Sequence, residues 1–204
     1  MSIIRLILDF DGTITAKDTI NHLASAGIAA QNLRRGVNLQ PKWDRLVKAY
    51  LEDYEDYKSR FTPSEAKRTR LEDEKRFLSG LQHVERASLR RVEEAGIFHG
   101  MDAVAMKKIG VDALKNGDVQ LRGGFGRITD LAREQGWPVS VVSVNWSDDF
   151  VRGVLGNTVP ENNVIANNTR DGSICGPDTL GLLVSSPDKL RAMQRLGGSG
   201  CVFR

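Results

Sequence analysis

The apolar run Ile3-Ile4-Arg5-Leu6-Ile7-Leu8 leads straight into Asp9-Phe10-Asp11-Gly12-Thr13. A short, β-branched run that ends in a polar, glycine-bearing loop is the pattern of a buried parallel strand delivering its loop to the carboxyl edge of a sheet. Asp9 and Asp11 lie two apart, so on an extended backbone both carboxylates leave one side while Phe10 packs on the other. Gly12 permits a tight turn, and Thr13 adds a hydroxyl at its rim. In α/β folds, ligands collect at strand carboxyl ends, where these acids fall. Paired acids beside a glycine also occur in ordinary turns and metal-binding loops, but rarely directly after a buried strand.

From about Thr15 to Arg122 the pattern is helical. Trp43, Leu46, Val47, Tyr50, Leu51 and Tyr54 recur at three- and four-residue intervals, which marks one helix face and predicts core packing. Thr62-Pro63-Ser64-Glu65 has capping-box spacing with proline at the first helical position, predicting a helix from there to Gly80. Further helices are expected over Leu81 to Ala95 and Asp102 to Lys115. After Gly123-Gly124, helices and strands alternate: a helix to Gln135, a strand Val139 to Val142 ending at Ser143, and a helix from about Ser147 to Leu155. A strand Val164-Ile165-Ala166, a hairpin turning at Arg170-Asp171-Gly172, a helix from Ser186-Pro187-Asp188-Lys189 to Leu196 and a last strand within 198–204 complete the pattern.

Composition narrows the function. At 204 residues, 40% hydrophobic and 27% charged, the chain is long enough for one substantial core or for a core domain plus a cap, and disorder is excluded. No apolar run reaches the ~20 residues of a membrane helix, and the Ile3 to Leu8 run is too short for a secretion signal, so the chain reads as cytoplasmic with no membrane partner. A net charge of +3 suits an anionic small molecule and is too slight to imply nucleic acid. Cys175 and Cys201 form no metal or redox spacing and read as small packing residues. His22, His83 and His99 share no ligand spacing, and the alternating charges of Lys67 to Arg76 read as a solvated helix face.

Asp9-Phe10-Asp11-Gly12-Thr13-Ile14-Thr15 resembles the first motif of the haloacid dehalogenase superfamily. The resemblance implies that Asp9 attacks phosphorus to form an aspartyl-phosphate, while Asp11 protonates the leaving alcohol and then activates water. Val141-Val142-Ser143 resembles the second motif, in which the hydroxyl binds a phosphoryl oxygen, and Lys189 the third, whose ammonium balances the phosphate and the nucleophile. Asn145 offers a further backbone or amide contact, or is an ordinary loop asparagine. The segment Ile165-Ala166-Asn167-Asn168 and then Asp171 to Gly176 is similar to phosphoserine-phosphatase-like members. Asp18 stands near the glutamate with which those enzymes read the substrate amine, and Gly12 replaces their usual serine. The implied fold is α/β: a Rossmann-like parallel sheet core (residues 1–15 and 121–204) with an all-helical cap inserted after the first strand (16–120).

Two carboxylates facing a phosphate dianion require a cation, so Mg²⁺ held by Asp9, by the Asp11 main-chain carbonyl and by the phosphate is expected. The expected function is Mg²⁺-dependent hydrolysis of a phosphate monoester of a small metabolite. The family's fourth motif, a glycine and one or two acids after a strand like Cys201-Val202-Phe203, is missing before Arg204. Asp148-Asp149 read as stabilising a helix N-terminus, and are the acids nearest to hand should that metal position be filled from elsewhere. With only 200–203 to pair beside Ile3 to Leu8, an unprotected sheet edge and self-association through it are expected. The rival reading is a weak or inactive member serving as a phosphate- or partner-binding module.

Overall fold

A computed structural model describes residues 4–177, 180–196 and the backbone of 201–203. Four short strands, β1 (Leu6–Leu8), β2 (Val139–Val142), β3 (Val164–Ile165) and β6 (Cys201–Phe203), form one parallel sheet in the order β3-β2-β1-β6. β1 pairs with both neighbours along its whole length, Leu6 with Val139 and Cys201 and Leu8 with Val141 and Phe203, so β6 is outermost on that side among the described strands. Ile3 of the expected strand, 198–200 of the last one and the side chain of Cys201 lie outside the described residues. β4 (Asn168–Arg170) and β5 (Ser173–Cys175) make the separate hairpin, turning on Asp171 and Gly172.

The unbroken apolarity of β1 has a two-sided cause. Leu6 and Leu8 face the main core, built with α6 (Phe125–Glu134) and α7 (Asp148–Leu155) through Phe125, Ala132, Phe150 and Val154. Ile7 faces the opposite layer, where Val142, Leu183 and Ala192 of α8 (Ser186–Arg195) pack. A strand covered on both faces must be apolar throughout, as helix-layered parallel sheets require. α7 starts at its Ser147 N-cap, whose hydroxyl accepts from Phe150 N at 3.2 Å, with Asp148 and Asp149 in the first turn.

Between β1 and α6 the chain makes five α-helices: α1 (Ile20–Arg35), α2 (Gln40–Arg60), α3 (Leu71–Gly80), α4 (Gln82–Ala95) and α5 (Ala103–Asn116). The outgoing and returning chains are stitched into a stalk: Ala16 N donates to Gln120 O and Arg122 N to Ile14 O, both at 2.8 Å. α2 lies along α4, α3 touches α8, and α5 is held tightly on α7. A β-carbon on Gly110 would come within 2.2 Å of Phe150 O, and one on Gly153 within 2.2 Å of Lys107 O. Glycine at both positions lets the two helix backbones touch.

Three local expectations are corrected. The Thr62 to Glu65 spacing yields only a 3₁₀ turn at Glu65–Lys67, and the α-helix begins at Leu71. Arg68 interrupts the solvated face: its guanidinium sits 3.7 Å from the Phe77 ring centre, and its side chain is buried. Cys175 is exposed, because strand alternation turns its neighbour Ile174 inward instead. Along α2, Trp43 is buried in the core while Leu51 is 53% exposed, so that stripe is only partly core.

Candidate active site

The β1 carboxyl end does not continue as an extended strand. Phe10–Ile14 form one wide turn, closed by Thr15 N on Phe10 O at 3.1 Å. Gly12 has φ +70°, a left-handed conformation that costs other residues energy, and its carbonyl accepts from Nε and Nη2 of Arg122. Phe10 and Ile14 anchor the turn in the core, and Asp9 and Asp11 remain at its partly open rim.

Asp9 Oδ1 accepts from Phe10 N at 2.8 Å and from Lys189 Nζ at 2.6 Å, which leaves Oδ2 without a hydrogen bond among the described residues. Lys189 reaches Asp9 because α8 starts beneath the sheet's carboxyl edge, and Asp188 fixes that start. The fully buried Asp188 carboxylate accepts from Val184 N at 3.0 Å and Ser185 Oγ at 2.8 Å, and pairs with Arg191. Gln82, the first residue of α4, adds a bond from the insert: its Nε2 donates to Ser185 Oγ at 2.8 Å and stands 3.4 and 3.5 Å from the Asp188 oxygens.

Asp11 is held by other partners. Its Oδ1 accepts from Thr19 N at 2.9 Å and Thr19 Oγ1 at 2.6 Å, and its Oδ2 from Asn145 Nδ2 at 3.0 Å. Burial pushes the Asp11 carboxyl above its ordinary range, against the lowering pull of the Thr19 and Asn145 bonds. The buried Ser143 ends β2 and its Oγ accepts from Asn145 N at 3.0 Å. All five residues singled out in the sequence therefore meet at one sheet edge: Asp9 with Lys189, and Asp11 with Asn145, which leans on Ser143. Thr19, Asp188 and Gln82 join them. Thr19 carried a signal in its position just before an apolar-periodic run, and Asp188 one in the Ser-Pro-Asp helix start, whereas nothing in the sequence marks Gln82.

The Asp9 carboxylate and the Asp11 carbonyl are hard oxygen donors of the kind Mg²⁺ takes, two residues apart at the start of one turn. Asp148 does not join them: it is buried on α7 and paired with Arg152 at 2.7 Å. No group of three or more His, Cys, Asp or Glu gathers as a metal cluster among the described residues. No described helix is long and apolar enough to cross a membrane.

A cleft of about 590 Å³ opens beside these residues, between α1, α2 and α4 on one side and Val144, Trp146, Leu183 and Val184 on the other. Trp43, Tyr50, Glu85 and Asp18 line it.

A parallel α/β sheet with a helical insert after its first strand and paired aspartates at that strand's end is the architecture of the haloacid dehalogenase-like fold. A solved structure described as a phosphoserine phosphohydrolase-like protein from Francisella tularensis superposes with a TM-score of 0.54, covering 99% of this chain and 77% of that one at 17% identity. The sequence adds a more particular placement. A CTO1 family protein of Schizosaccharomyces pombe is 30% identical over 207 residues, 93% of this chain and 68% of that protein. Cold tolerance protein 1 of Saccharomyces cerevisiae is 28% identical over 167 residues, 74% of this chain and about half of that protein, at 51%. The chain belongs to the CTO1 family. No family model matches it.

Proposed function

We propose that this protein hydrolyses the phosphate monoester of a small metabolite through a phospho-aspartyl enzyme at Asp9. The observation that carries the reading is the Lys189 ammonium 2.6 Å from Asp9 Oδ1, with Asp11 on the same loop held apart by Thr19 and Asn145. The two carboxylates thus have separate partners and can take separate roles.

Asp9 Oδ2 attacks phosphorus, and the bond from phosphorus to the alcohol oxygen breaks. Asp11, whose burial favours the protonated form, gives its proton to that departing oxygen. The Asp11 carboxylate then takes a proton from water, whose oxygen attacks phosphorus, and the bond to Asp9 breaks to release inorganic phosphate. Lys189 and the Ser143 hydroxyl neutralise and orient the equatorial oxygens, and pre-aligned groups of this kind each contribute roughly 10²- to 10³-fold. Asp9 and the Asp11 carbonyl would hold Mg²⁺, which when bound supplies positive charge against the phosphate dianion. The helical segment that roofs the cleft serves as the cap, spanning 16–120, and a cytoplasmic setting fits the absence of a disulfide framework.

Phosphate release from a panel of small phosphate monoesters, with and without Mg²⁺, tests the proposal. Turnover that depends on Mg²⁺ and disappears in Asp9→Asn is expected. An Asp9→Asn protein that keeps most of its turnover refutes the nucleophile.

A further inference from the structure

The cleft beside the phosphate end has a chemical character of its own. It is continuous with that end through the chain: Asp18 precedes Thr19, Val144 separates Ser143 from Asn145, and Val184 precedes Ser185. Its lining is mainly aliphatic, with three aromatic rings, Trp43, Tyr50 and Trp146, set among the aliphatic side chains. Trp43 stands edge-on to Trp146 with ring centres 6.2 Å apart, and Trp43 Nε1 is fixed by Asn21 Oδ1 at 3.2 Å. Tyr50, further along α2, also lines the cleft. Among the described residues, the ionisable side chains lining the cleft are Asp18, Glu85 and Tyr50, with no Lys, Arg or His.

Glu85 is half-buried and receives one hydrogen bond, from the Tyr50 hydroxyl at 3.0 Å. Burial raises its carboxyl above the ordinary range, and burial together with Glu85 raises the Tyr50 hydroxyl. A half-buried carboxylate beside aromatic rings, with no cation among the described residues that line the cleft, is an arrangement that a ligand's positive charge completes.

Resting on the phosphatase reading, we propose that the substrate's organic part is a carbon-shielded cation, an alkylated ammonium or a cationic nitrogen ring, lying against Trp43, Tyr50 and Trp146 with its charge facing Glu85 and Asp18. An anionic organic part finds no basic partner among the described residues of the cleft, so phosphorylated carboxylic acids are disfavoured. The substrate is then a zwitterion whose two ends are read by opposite charges, Lys189 at the phosphate and Glu85 at the nitrogen.

Charge-isosteric pairs test this. Choline phosphate is compared with 3,3-dimethylbutyl phosphate, and 3-(phosphooxymethyl)-1-methylpyridinium with 3-methylbenzyl phosphate. In at least one pair kcat/KM for the cation exceeds that for its neutral twin by about 30-fold, the size of combined cation–π and ion-pair terms, and Glu85→Gln narrows that ratio about tenfold. Asp18→Asn, an exposed loop change, narrows it less and remains available should Glu85→Gln misfold. Binding of the dephosphorylated alcohols, followed by tryptophan fluorescence, reads the cleft without catalysis. Cation-selective, Glu85-dependent quenching with no turnover of any monoester upholds the cation site and overturns the phosphatase. Turnover with cation and neutral twin equal within about threefold in both pairs, or a ratio unmoved by both variants, overturns the cation site and leaves the phosphatase standing.

Discussion

Gly110→Ala should destabilise the protein, against what helix propensity predicts. Gly110 lies inside α5 with ordinary helical geometry, so alanine would favour the helix by about 1 kcal/mol. The packing argues the other way. The new methyl carbon would stand 2.2 Å from Phe150 O and 2.9 Å from Val154 N, both backbone atoms that cannot rotate away. Ordinary carbon contacts begin near ~3.4 Å, so α5 and α7 must part by roughly 1 Å. Such a gap forfeits about a quarter to a half of each dispersion contact across the interface, and overpacking typically costs about 1 to 3 kcal/mol, sometimes more. Because the clash is with backbone, the upper end of that range applies, and after the propensity gain the net is a loss of about 2 kcal/mol, read as a lower urea midpoint at unchanged slope. Gly126→Ala is the control, since that helical glycine has nothing within 4 Å of a built β-carbon, and it should gain up to about 1 kcal/mol. A Gly110→Ala protein as stable as wild type would refute the backbone contact between these helices.

Three other outcomes are expected. Asp11→Asn should slow alkyl phosphates by about 10²-fold or more yet spare p-nitrophenyl phosphate, whose leaving group departs unprotonated; equal losses on both would remove Asp11 as the acid. Burial, opposed by Arg152, raises the Asp148 carboxyl to about 6, so the folded state keeps its proton between about pH 4 and 6 where the unfolded chain has released it. Stability from this group therefore falls as pH rises through that window and is flat above it; wild type should lose about 1 to 3 kcal/mol relative to Asp148→Asn from pH 4 to 6, and parallel urea-derived curves would contradict the assignment. Gln82→Leu removes the donor that α4 supplies to Ser185 and Asp188, and should lower kcat about tenfold with little change in melting temperature; unchanged kcat would show that Lys189 is placed without the insert.

What could be read in advance was local. The β1 run and the glycine turn announce their geometry within one short stretch, although the acids sit on a wide turn rather than an extended strand, and Ser143 and Lys189 stand at element ends that periodicity and proline reveal. Asn145 stayed ambiguous because its value lies in Asp11, 134 positions away in the chain. Glu85 and Tyr50 gave no signal for the same reason: a carboxylate and a phenol on two helices become a pair only when α2 lies along α4. The helix start at Thr62 misled because capping residues describe a first turn and carry no information about later ones; Arg68 gains more against the Phe77 ring than in a continued helix face.

The pairing of β1 has a consequence for how the chain assembles. Leu6 finds its neighbours at Val139 and Cys201, so the strand that carries Asp9 leaves the ribosome ahead of both. Six α-helices with local contacts can form in the interval, whereas closing the sheet must wait for loops of more than a hundred residues. Leu6, Ile7 and Leu8 are exposed for that whole time, a sticky edge made early and covered late. The stalk shortens the search: once Ala16 meets Gln120, the remaining distance from β1 to β2 is that of a small loop.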